Sequence, residues 1–153
     1  MKKLLFIFSA AFVSMNMNAQ KITADNVPQS VTTAFNTRFS IAEKTTWELD
    51  YDNYEAGFTV GKTAFSAKFD KDGKWLETDT YLKPSELPKI IRESLLKKYG
   101  ELSGYKVEDA MKVEKEKETI YAMDIIRGEN TYDVEFDIDG EITKEDKKTE
   151  KKE

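Results

Sequence analysis

Apolar residues recur at every fourth position in two stretches of the chain, first Val27, Val31, Phe35 and Phe39, then Leu87, Ile91, Leu95 and Tyr99. This spacing lines one face of an α-helix, so a short amphipathic helix is predicted in each stretch. Pro28 and Pro88 suit a first turn, where the missing N–H has no intrahelical partner to lose. Asp25 or Asn26 is placed to cap the first helix and Ser85 the second, while Gly100 can close the second in a left-handed conformation. After each helix the period falls to two. Tyr54, Ala56, Phe58 and Val60, then Phe65, Ala67 and Phe69, alternate with polar residues, as do Tyr121, Met123 and Ile125, then Tyr132, Val134, Phe136 and Ile138. Such alternation predicts antiparallel strands with one wet face, and Gly61 and Gly128 mark tight turns between neighbours.

The two stretches match at fixed offsets. Val27-Pro28, Val31, Phe35 and Phe39 return sixty places on, whereas Tyr54, Phe58, Gly61, Phe65, Ala67, Phe69, Asp70, Asp72 and Gly73 return sixty-seven places on, as Tyr121 through Gly140. The chain therefore reads as a tandem repeat, copy one about 24–83 and copy two about 84–143, with a seven-residue insertion in the second copy. Glu114-Lys115-Glu116-Lys117-Glu118 reads as the solvated hairpin tip that holds it. With Trp47–Tyr51 and Trp75–Leu82 added, each copy offers four strands. The expected fold class is α+β, a tandem repeat of a helix plus a four-stranded antiparallel sheet, with the helices packed on one face. Edge pairing decides between two separate sheets and one continuous eight-stranded sheet, and the continuous sheet is the favoured expectation.

The ends change the picture. Met1-Lys2-Lys3, the apolar run Leu4 to Val13 and the small and polar Ser14 to Ala19 read as a secretory signal peptide over residues 1–19, although Met17 is bulky for its place before the cut. Cleavage leaves 134 of the 153 residues and a formal charge of −7, a poor match for nucleic acid or anionic lipid. No later run is long enough to span a membrane. Residues 144–153, nearly all charged, read as a solvated disordered tail. The chain contains no cysteine, which excludes a lipid-bearing cysteine and disulfides. A periplasmic or secreted protein is expected, without membrane insertion once the leader is removed.

The absence of both histidine and cysteine removes most nucleophile–base pairs, most zinc and copper sites and the usual proton shuttle. No catalytic, cofactor-binding or metal-binding residues are assigned, and the chain is read as a non-enzyme. Phe69-Asp70-Lys71-Asp72-Gly73 and Phe136-Asp137-Ile138-Asp139-Gly140 invite comparison with a calcium loop. Aligned that way, Lys68 falls at the first ligand position and Asp79 at the twelfth, so a hairpin turn with glycine after aspartate is the preferred reading. Most aromatics fall at core positions, Trp75 among them. Tyr51, Tyr81 and Tyr105, near strand ends, are the candidate partner-binding residues, because aromatics dominate interface hot spots.

Leu87-Pro88-x-x-Ile91 opening a helix, Tyr54-Glu55-Ala56-Gly57-Phe58 on a strand and the paired Phe-Asp-x-Asp-Gly turns together resemble the PepSY-like family of β-lactamase-inhibitor-like proteins. The resemblance covers most of Val27 to Ile142, with Ser40 standing where such sequences often place proline. It implies the tandem fold of β-lactamase inhibitor proteins, export by Gram-negative bacteria and, by analogy, binding or inhibition of an envelope enzyme. It supplies no inhibitory residues, since the matched positions are core and turn. The expected function is an exported binding module, an inhibitor or regulator of an envelope peptidase or hydrolase. The alternatives are a small-ligand or cation carrier and a structural envelope protein.

Overall fold

The computed structural model describes residues 20–100 and 104–148. The expected leader and the last five residues of the expected tail lie outside them. In chain order the described elements are β1 (Gln20–Ile22), α1 (Gln29–Arg38), β2 (Glu43–Asp50), β3 (Asn53–Val60), β4 (Thr63–Asp70), β5 (Trp75–Tyr81), α2 (Lys89–Tyr99), β6 (Tyr105–Lys115), β7 (Thr119–Arg127), β8 (Asn130–Asp137) and β9 (Ile142–Lys148).

Among the described residues the strands form one sheet of nine, ordered β1 to β9 as they occur in the chain, every neighbouring pair antiparallel. This corrects the expected fold class. The molecule is a sheet-dominated fold with two short helices, and not a tandem of a helix plus a four-stranded sheet. The physical reason is edge satisfaction. β5 would end one small sheet and β6 begin the next, each leaving a row of unpaired N–H and C=O groups. They pair instead, from Glu77↔Lys115 to Tyr81↔Met111, and join everything into one surface. β1 adds a ninth strand through Gln20↔Leu49, Lys21↔Glu48 and Ile22↔Trp47. Three residues are too few for periodicity to reveal.

The reading of 144–153 as a disordered tail is also corrected, since β9 runs to Lys148 and pairs with β8 from Phe136↔Ile142 to Thr131↔Lys148. Its charges alternate between two faces and find partners on both. Glu145 receives hydrogen bonds from the Lys98 ammonium and, at 2.8 Å, from the Tyr99 hydroxyl, which tie the end of α2 to the strand. These donors hold the Glu145 carboxyl below its ordinary range. Lys144 and Lys148 point the other way.

Both helices cover the same face of the sheet over two cores. Under α1, Phe35 meets Trp47 and Phe58 edge-on with ring centroids 5.2 Å away in each case, and Phe69 lies fully buried beneath. Under α2 the packing is largely aliphatic, with Ile91 and Leu95 on Met123, Ile125, Val134 and Phe136. Trp75 packs beside the first core, its Nε1 donating to Thr78 Oγ1 at 2.8 Å and its ring lying 3.8 Å from the Arg38 guanidinium. The caps differ from expectation. Asp25, Asn26 and Ser85 lie in short 3₁₀ turns ahead of the helices, and Pro28 and Pro88 occupy the cap positions themselves. A proline there has already given up its N–H, and its carbonyl accepts the first helical bond, from Thr32 N and Arg92 N. Gly100 does close α2 at positive φ.

The Asp-x-Asp-Gly segments are turns. In each, the first aspartate accepts two backbone N–H groups through Oδ1: Asp70 from Asp72 and Lys74, Asp137 from Asp139 and Glu141, all at 2.9–3.0 Å. The first turn also receives α1, since Ser30 Oγ donates to the Lys71 carbonyl at 2.8 Å.

Candidate functional site

The face turned away from the helices is where the remaining chemistry collects. Strand register places Tyr81, Met111, Ala122, Glu135 and Lys144 in one row across β5 to β9. The next row runs Thr46, Gly57, Ser66, Asp79, Val113, Ile120 and Asp137. The middle of this face is therefore apolar. Met111, Val113, Ile120 and Ala122 form a cluster distinct from the two helix-side cores, and Tyr81 packs against it. A bulge between Glu108 and Met111, with Asp109 at φ 47°, lets Ala110 enter the α2 core while Met111 turns to the open face.

Ion pairs frame the strip on both sides. Lys68 lies 3.1 Å from Asp50 and 3.9 Å from Glu55. Lys115 lies 3.3 Å from Glu77. On the far side Lys144 bridges Asp133 at 2.9 Å and Glu135 at 3.3 Å, and Lys148 contacts Asp124 at 2.6 Å. Asp124 and Asp133 are buried, 6% and 7% exposed, which is uncommon for aspartate and demands such partners. Burial raises the Asp124 carboxyl, and Lys148 opposes that rise. The Asp133 and Glu135 carboxylates hold the Lys144 ammonium above its ordinary value.

Asp79 stands at the border between acids and strip. Burial first, then the nearby Glu77 and Glu55 charges, push its carboxyl up to about 7 against the pull of Lys68 and Lys115. The Tyr81 hydroxyl beside it is pushed up to about 12, by burial and then by Asp79, Glu55 and Asp109. Among the described residues no three His, Cys, Asp or Glu side chains converge in a way that could hold a metal ion.

The three tyrosines singled out from the sequence are not brought together. Tyr51 sits in the β2–β3 turn at φ 54° and 62% exposure. Tyr105 packs on the helix side, its ring 5.6 Å from that of Tyr99. Tyr81 alone of the three reaches the open apolar strip. Met111, Val113, Ile120 and Ala122 escaped the sequence reading. Their signal was the run Ile120-Tyr121-Ala122-Met123, apolar at consecutive positions, which marks a strand shielded on both faces.

Comparison with known proteins places this geometry. A BLIP-like protein from Bacteroides fragilis superposes with a TM-score of 0.71 at 21% identity, over 82% of this chain and 92% of that one. A DUF2874 family protein from Bacteroides uniformis gives 0.72 at 22%, over 78% and 88%. A protein from Bacteroides eggerthii, described as a proposed periplasmic protein, gives 0.72 at 21%, over 79% and 88%. At these identities the likeness shows a shared fold. No curated protein matches the sequence. Among the described residues no helix is long and apolar enough to cross a membrane. The profile of the PepSY-like family, described as proposed β-lactamase-inhibitor-like proteins, matches residues 52–144, well over half of the sequence, and the chain belongs to that family.

Proposed function

We propose that the chain is an exported, non-enzymatic binding module that docks an envelope protein against the open face of its sheet, acting as an inhibitor or regulator of a peptidase or hydrolase. The observation that carries this reading is the apolar strip of Tyr81, Met111, Val113, Ile120 and Ala122 on the face the helices leave uncovered. A sheet with water on one side ordinarily presents polar residues there, and this one breaks the rule at its centre. Tyrosine and methionine are enriched at protein interfaces. The framing ion pairs hold long side chains in place, which lowers the ordering cost of association. The leader-like first nineteen residues and the periplasmic description of the Bacteroides eggerthii relative support export. The absence of histidine and cysteine supports a role without catalysis.

The test compares three variants in capture of a partner from envelope extract: Tyr81→Ser and Lys144→Glu on the open face, and Leu96→Ser, 42% exposed on α2, as the control. The reading expects the first two to lose a protein that wild type and the control retain. Equal capture by all three, or capture of nothing by wild type, sinks it.

A further inference from the structure

A cavity of about 490 Å³ opens on the same face but off the apolar strip, between β1 and β4, walled by Ile22, Thr46, Glu48, Glu55 and Ser66 with Gly57 in its floor. Its size falls within the range of small-ligand sites. Gly57 is what leaves it open. This glycine is in the interior of β3 and its φ is not positive, so the backbone does not require glycine there. A Cβ would meet only Thr46 Oγ1, at 3.1 Å. Glycine inside a strand weakens it and often marks close approach by a ligand. Sixty-seven residues on, the corresponding position is Asp124, which Lys148 engages.

The walls define the ligand. Glu48 and Glu55 are registered directly opposite each other across β2 and β3, both half-buried, an arrangement of like charges that opposes strand pairing. Glu55 is compensated in part, by the Ser66 hydroxyl and by Lys68 at 3.9 Å. Ile22 and the bare Cα of Gly57 offer an apolar bed beside these acids. We infer that this cavity binds an organic cation, an amine or guanidinium on a short aliphatic stem, with its head between Glu48 and Glu55 and its stem over Gly57. The site does not depend on whether the wider face docks a protein.

The probes are agmatine, its uncharged analogue pentanamide, and the blocked tripeptide Ala-Arg-Ala, each titrated into ¹⁵N-labelled protein. Agmatine or the tripeptide is expected to shift the Thr46, Gly57 and Ser66 amides in a saturable way, and pentanamide is not. Response to agmatine alone assigns a free amine, response to the tripeptide alone assigns a side chain carried on polypeptide, and either supports the site. Gly57→Val fills the cavity and is expected to weaken binding at least about tenfold. Glu48→Gln keeps the shape, guards against a folding defect in the first variant, and is expected to weaken binding by a similar factor. Silence with both cationic probes, equal response to pentanamide, or unchanged affinity in both variants overturns the assignment.

Discussion

Lys148 Nζ lies 2.6 Å from Asp124 Oδ2, so the last described residue of β9 reaches over β8 to a carboxylate on β7. Asp124 is 6% exposed, and a buried carboxylate without its cation bears the cost of desolvation uncompensated. Lys148→Ala is therefore expected to lower stability by about 1 to 3 kcal/mol, a range discounted for the partial exposure of the lysine. Urea denaturation measures it. Asp124→Asn in the Lys148→Ala background should recover part of the loss, since the neutral amide has less to desolvate.

Asp79 predicts a pH dependence with a definite sign. Its carboxyl titrates near pH 7 in the folded protein against 3.8 as its ordinary value. Between those values the folded state holds a proton that the unfolded state has released, so this group makes stability fall as pH rises through the window. Asp79→Asn removes that penalty. The variant is expected to exceed wild type by about 1 to 2 kcal/mol at pH 8, with the gap closing by pH 4. Denaturant melts across this range report it, and a constant gap at every pH contradicts the assignment.

Gly73 and Gly61 both have positive φ, 85° and 60°, but only one is enclosed. A Cβ on Gly73 would stand 2.6 Å from the Ser30 carbonyl oxygen of α1, whereas nothing lies within 4 Å of one on Gly61. Gly73→Ala thus combines backbone strain with a clash against a helix, and is expected to cost about 2 to 4 kcal/mol. Gly61→Ala carries the strain alone, about 1 kcal/mol. Thermal melts of the two variants distinguish them.

Much of the helix side was legible in advance, because its cause is periodic. Val31, Phe35, Ile91 and Leu95 recur at helical spacing and pack where that spacing puts them. Gly61 and Gly128 turn their hairpins at positive φ. β9 was misread because composition records charge and omits pairing: Lys144, Glu145 and Lys148 are ordered by Asp133, Glu135, Tyr99 and Asp124, residues far off in sequence. The joining of β5 to β6 rests on backbone groups that every residue carries, so no side-chain pattern announced it. The open-face strip depends on the bulge at Asp109, which moves Met111 out of the phase set by Tyr105 and Val107. Tyr51, Tyr81 and Tyr105 looked alike as aromatic residues near strand ends, and local geometry sent them to a turn, the open face and the helix face.

The central claim is that recognition occurs on the open face, and site-specific photo-crosslinking tests it most directly. Benzoylphenylalanine placed at Tyr81, at Lys144 and, as the helix-side control, at Leu96 is irradiated in cells secreting the protein. The account predicts the same protein adduct from positions 81 and 144 and none from 96. An adduct from position 96 with none from the other two would contradict it.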